Sequence, residues 1–82
     1  MLKVSVVSPE ATLFDGEASA VVAPAFDGEV GILPSHAPMI TVLGQGTLRI
    51  DGATPARFKV SGGFVQVVDD TVRVVTEKAS RA

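Results

Sequence analysis

Alternation of apolar and polar residues at period two recurs along this 82-residue chain, and helical periodicity is almost absent. Side chains of an extended strand point to opposite faces in turn, so alternation confines such a chain to sheets with one face on a core. Leu2-Lys3-Val4-Ser5-Val6 alternates, and Pro9 closes that strand. Thr12-Leu13-Phe14 runs into Asp15-Gly16, a turn signal, and Ala18 to Val22 makes a third run that Pro24 is expected to stop. Met39 to Leu43 precedes Gly44 and Gly46. Thr47-Leu48-Arg49-Ile50 and Arg57-Phe58-Lys59-Val60 then flank Asp51-Gly52. These two read as a hairpin with Leu48, Ile50, Phe58 and Val60 inward and the charges outward. Gly62-Gly63 is expected to kink the chain, as a bulge or a tight bend, into Phe64 to Val68. Asp69-Asp70 links that strand to Thr71 to Thr76 through a near-minimal hairpin connection. Glu77 to Ala82 reads as the start of a helix too short to stand alone. Short strands punctuated by Gly, Pro and Asp predict one all-β domain over residues 1–82, a sandwich or small barrel.

Composition narrows the function classes. No cysteine is present, which excludes disulfides and thiolate metal sites and suits a reducing compartment. No apolar run approaches the ~18 residues of a membrane span, and the first residues lack a signal peptide's apolar region, so a soluble cytosolic chain is expected. Residues 1–48 hold Glu10, Asp15, Glu17, Asp27 and Glu29 against Lys3 alone, while six of the seven bases follow residue 48. Those bases are spread singly along the strands without interleaved aromatics, which argues against a nucleic-acid surface. The acidic half favours a basic partner.

The densest set of backbone constraints lies in Asp27-Gly28-Glu29-Val30-Gly31-Ile32-Leu33-Pro34-Ser35-His36-Ala37-Pro38, with two glycines, two prolines and the only histidine. Glycine opens positive φ and proline locks φ and removes a donor. A short strand from Val30 to Leu33 feeding a stiff surface turn is predicted, presenting Glu29 and His36 from fixed backbone. Catalysis finds little support. Ser35 and His36 are adjacent, which rarely gives nucleophile–base geometry. His36 with Glu29 is too few ligands for a metal, and Gly44-Gln45-Gly46-Thr47 lacks a phosphate loop's lysine. No metal or cofactor is expected. Read as a binding module, the loop offers Glu29 to a partner's arginine and His36 to its backbone. The plainer alternative is a solvated glutamate and a turn-stabilising histidine. Phe14, Phe26, Phe58 and Phe64 read as core or core-edge residues, with one or two open to a docking face.

Several segments, in order, resemble the N-terminal domain of the epsilon subunit of bacterial rotary ATP synthases, called delta in mitochondria. They are Val6-Val7-Ser8-Pro9-Glu10 with Leu13-Phe14-Asp15-Gly16-Glu17, the Asp27–Pro38 stretch, Gly46-Thr47-Leu48-Arg49-Ile50, Ser61-Gly62-Gly63-Phe64-Val65-Gln66-Val67, and Val72 to Thr76 with Glu77-Lys78-Ala79. The Asp27–Pro38 stretch is similar to the family's most recognisable motif, in which a glycine is common where Ser35 stands.

The resemblance implies a flattened sandwich of about ten short strands that clamps onto the γ subunit of the rotor and rests on the polar loops of the c-ring. It implies a non-catalytic coupling piece on the cytoplasmic face of the cell membrane, peripheral to it. Carried over by motif, Glu29, Gly31 and His36 are the c-ring contacts, and Ser8, Ala37 and Ile40 the γ contacts. Family members typically continue into a C-terminal helical hairpin that restrains hydrolysis and in some binds ATP. That hairpin is absent from this sequence, so no nucleotide is expected to bind. A free-standing adaptor that recognises a basic partner through the same loop is the alternative.

Overall fold

The computed structural model describes all of residues 1–82 and contains eight strands and no helix. In chain order they are β1 (Leu2–Val7), β2 (Thr12–Ala18), β3 (Ala20–Ala25), β4 (Gly28–Ile32), β5 (Met39–Val42), β6 (Gln45–Asp51), β7 (Ala56–Val68) and β8 (Thr71–Arg81). The hydrogen-bonded order is β2-β1-β8-β7-β6-β3-β4, with β5 also on β7. All neighbours are antiparallel except β1 and β8, which run parallel.

β7 and β8 are long enough to serve two layers. Phe64–Val67 of β7 pairs with β5 and Ala56–Ser61 with β6, while β1 takes only Thr71–Val75 of β8. One sheet is therefore β2-β1-β8-β7-β5 and the other β8-β7-β6-β3-β4, joined by a shared, bent hairpin. Five strand positions on each side accommodate the ten expected strands in eight continuous ones. The count of about ten is corrected to eight because two strands are each used twice. Principal extents of 27 × 26 × 18 Å give the flattened shape.

The bend sits at Gly62 and Gly63, with φ of 75° and 105°. Before it the even positions of β7 are buried (Ala56, Phe58, Val60), and after it the odd ones (Val65, Val67). β8 changes parity alongside, from buried Val72, Val74 and Thr76 to the half-buried Ala79. The β7–β8 pairing nevertheless holds one register from Phe58↔Arg81 to Val68↔Thr71. The glycines therefore make a bend and not a bulge in this ladder. At the corner the buried Thr76 hydroxyl donates to the Lys78 carbonyl at 2.8 Å, so no buried polar side chain is left unpaired.

Seventeen buried apolar residues fill the space between the sheets, Phe58, Leu2, Ile32, Leu48 and Ile50 being the largest. The expected hairpin forms as β6–β7, with Leu48 opposite Phe58 and both buried. Asp69 and Asp70, with φ of 49° and 58°, make the two-residue turn between β7 and β8, positive φ at both positions being what matches the strands' twist.

Three local expectations are corrected. Asp15-Gly16 is not a turn, because both residues pair with β1 inside β2. Pro24 does not stop β3, which β6 pairs only over Ala20–Val22, so the missing N–H falls outside that ladder. Glu77 to Arg81 is strand and not nascent helix, because pairing to β7 overrides local propensity.

Candidate functional site

The predicted loop is a structured device. β4 ends at Ile32, and the His36 amide donates to the Leu33 carbonyl at 3.2 Å, closing a turn. Pro34 and Ser35 hold its central positions, and Ser35 has φ 68°. This is a type II turn, with proline's fixed φ at the first position and positive φ at the second. Glycine at the Ser35 position would adopt that conformation without strain. The Ser35 amide donates to Asp70 Oδ1 at 2.6 Å, tying the loop to the β7–β8 turn. His36 Nδ1 lies 2.7 Å from the Ala37 carbonyl, which can only accept, so Nδ1 carries the proton and Nε2 is left for another partner.

The expected ring contacts do not converge on one point. Glu29 and Gly31 project from the same exposed face of β4, an edge strand. Glu29 lies beside the β3–β4 turn and His36 beyond the strand's other end, so the length of β4 separates them. The three residues make a strip and not a pocket. Glu29 has no ion-pair partner, Arg49–Asp51 at 3.3 Å being the protein's salt bridge. A Cβ at Gly31 would meet nothing within 4 Å, so the strip is open to a close approach.

The expected γ contacts divide between two places. Ile40 lies on the outward face of β5, 66% exposed, and Ser8 follows the end of β1. Both border the outer face of the first sheet. Ala37 is exposed on the loop beside His36. The Ser8 hydroxyl and amide both bond within its own turn to Ala11, so this residue also has a local structural role.

A surface that the sequence reading missed runs between Ser8 and Ile40. Val7 pairs with Val75, Val75 with Phe64, and Phe64 with Val42, so four apolar side chains cross β1, β8, β7 and β5 in one row on the outer face. None of the four is fully buried, and Val42 is 58% exposed. Phe26, 75% exposed, adjoins the row through its amide bond to the Val42 carbonyl at 3.2 Å. The core reading therefore holds for Phe58 and core-edge for Phe14, while Phe64 is a half-buried member of the outer row and Phe26 an outside residue. The signal was available in Val6-Val7, Val42-Leu43, Phe64-Val65 and Val74-Val75. In each of these pairs one residue is buried and its neighbour breaks the alternation by being apolar on the outer face.

The opposite outer face is basic. Arg49 pairs with Arg57, Lys59 lies between Thr47 and Ser80, and Lys78 lies opposite Ser61. Bases that look scattered along the sequence are thus collected by the sheet, with Asp51 countering Arg49. No group of three or more His, Asp or Glu residues is placed to hold a metal ion.

The family model described as "ATP synthase, Delta/Epsilon chain, beta-sandwich domain" matches residues 1–82. The chain is 46% identical over 77 residues to an ATP synthase epsilon chain from Leptospira borgpetersenii serovar Hardjo-bovis, covering 93% of this chain and 61% of that one. It is 51% identical over 75 residues to the ATP synthase epsilon chain of Rhodopirellula baltica, covering 90% and 59%. The chain spans about three fifths of the length of these curated relatives. Its fold is similar to chains in cryo-EM structures of two mitochondrial ATP synthases. One is the OSCP/F1/c-ring of Euglena gracilis (TM-score 0.88, 23% identity, 98% of this chain and 52% of that chain). The other is the central stalk and c-ring of Tetrahymena thermophila (TM-score 0.82, 21% identity, 98% and 66%).

Proposed function

Because this chain belongs to the ATP synthase delta/epsilon chain family, through its β-sandwich domain, we propose that it is a non-catalytic rotor subunit coupling a c-ring to a γ shaft in proton-driven ATP synthesis. The apolar row Val7–Val75–Phe64–Val42 carries this reading. A contiguous exposed apolar surface on a rigid sheet suits a lasting protein interface, and here it faces γ, bordered by Ser8 and Ile40, with Ala37 at the margin. The strip of Glu29, Gly31 and His36 along β4 rests on the ring's polar loops. There the unpaired Glu29 carboxylate accepts from an arginine, and Gly31 admits the partner's backbone. Torque entering at one surface leaves by the other through a sandwich whose two layers share a continuous hairpin. The subunit works at the cytoplasmic face of the membrane, peripheral to it. The relatives named above are ATP synthase chains, which leaves a free-standing adaptor without support.

Titration of the chain into catalytic heads with and without γ tests the assignment. Saturable binding that requires γ is expected, and equal binding to both preparations, or to neither, overturns it. Glu29→Lys is expected to leave the fold intact and to weaken ring contact, read as loss of coupling between hydrolysis and pumping in reconstituted membranes.

A further inference from the structure

We propose that the second half of β8 is a docking edge on which a segment of the shaft partner adds as an extended strand, an inference that rests on the rotor reading above. β1 pairs with β8 only over Thr71–Val75, whereas β8 continues to Arg81 with β7 on one side and nothing on the other. The Ala82 amide donates to the Arg57 carbonyl at 3.1 Å, so beyond the glycine bend the hydrogen-bonded pairs with β7 fall at even positions of β8. Glu77, Ala79 and Arg81 then turn their N–H and C=O groups toward the open side. No backbone hydrogen bond outside the strand ladders engages them. An unpaired strand edge is a template for another chain, and strand addition is a recurrent mode of recognition.

Two neighbouring features define the occupant. Where β1 leaves β8, a pocket of about 370 Å³ is lined by Val7, Ser8, Phe64, Val75 and Glu77 among others. It is continuous with the apolar row assigned to γ. Further along the edge stand Lys78 and Arg81, neither in a salt bridge, with Glu77 as the one acid of the edge. The fitting segment is extended, carries an apolar side chain for the pocket, and carries carboxylates for Lys78 and Arg81. Main-chain bonds along the edge supply affinity, and the pocket with the two cations supplies register and specificity.

Residue-resolved amide exchange in the free chain and in its complex with γ-containing heads is the test, together with Ala79→Pro. Proline at 79 removes an N–H facing the open edge, a position where strands tolerate it, and adds its ring on the half-buried side of β8. Glu77, Ala79 and Arg81 are expected to exchange quickly in the free chain and at least 100-fold more slowly in the complex. Ala79→Pro is expected to keep the wild-type far-UV circular dichroism and to bind at least tenfold more weakly. If wild type binds the heads while these three amides stay unprotected, strand addition is wrong and the rotor assignment stands. Absence of binding by wild type overturns both. Protection that grows with concentration of the chain alone would assign the edge to a second copy and likewise overturn the proposal. Should Ala79→Pro fail to fold, the wild-type exchange pattern decides by itself.

Discussion

Alanine placed at three glycines separates the two ways a glycine can be required. Gly63 has φ 105°, and a Cβ built there falls inside van der Waals contact of the Val75 carbonyl oxygen, with the Thr76 Cα 2.8 Å away. Gly28 has φ 131° but nothing within 4 Å of its Cβ position, and Gly31 has neither the positive φ nor a close neighbour. A non-glycine residue held at such a φ costs about 1–3 kcal/mol. At Gly63 the blocking atoms are backbone, so β7 and β8 must also part at the corner, losing ladder bonds worth about 1 kcal/mol each. Gly63→Ala should therefore cost about 3–4 kcal/mol, Gly28→Ala about 1 kcal/mol, and Gly31→Ala within about 0.5 kcal/mol of zero. With a urea m-value near 1 kcal/mol/M for a small domain, Gly63→Ala moves the midpoint down by about 3 M. Urea unfolding followed by far-UV circular dichroism is the suitable assay, since the chain has no Trp or Tyr. Equal midpoints for Gly63→Ala and Gly28→Ala would refute the steric half of this reasoning. A Gly63→Ala protein as stable as wild type would refute the corner itself.

Ser35→Gly relieves a serine at φ 68° and is expected to raise stability by about 0.5–1 kcal/mol, seen as a higher urea midpoint. Asp70→Ala removes the acceptor of the Ser35 amide and should cost about 1 kcal/mol, with faster exchange of that amide as its local signature. Val42→Asp is exposed enough to leave the unfolding midpoint within about 0.5 kcal/mol of wild type, yet should weaken binding to γ-containing heads at least tenfold.

Much of the architecture could be read from residue order because burial on one face of a sheet writes itself as alternation. Leu48, Ile50, Phe58 and Val60 were legible for that reason, as was the Asp69-Asp70 turn. Asp15-Gly16 and Pro24 misled because a turn signal reports local preference only. The ladder to β1 holds the first inside a strand, and the end of the β6 pairing makes the second harmless. The doubled use of β7 and β8 was hidden, since nothing local records that a strand changes partners halfway. At the site, the turn built on Pro34 and Ser35 was foreseeable from residue type, whereas its tether to Asp70 joins residues 35 positions apart. The apolar row has the same origin. Each member looks like ordinary core until the register shows that Val7, Val75, Phe64 and Val42 line up on the outside.

The parallel pairing of β1 with β8 also governs how this molecule is made. Lys3 meets Thr71 and Val7 meets Val75, so the first strand has one flank empty until the last has been built. Sequence-distant pairing slows folding, because the loop between the partners must close before any contact rewards it. Until then the β1–β2 hairpin offers Leu2, Val4 and Val6 to solvent, and an isolated hairpin is marginal in water. On a ribosome adding about 5–20 residues each second, that exposure lasts several seconds. Chaperone demand should therefore fall on the opening strand, and substitutions along Thr71–Val75 should reduce soluble yield out of proportion to their effect on the finished fold.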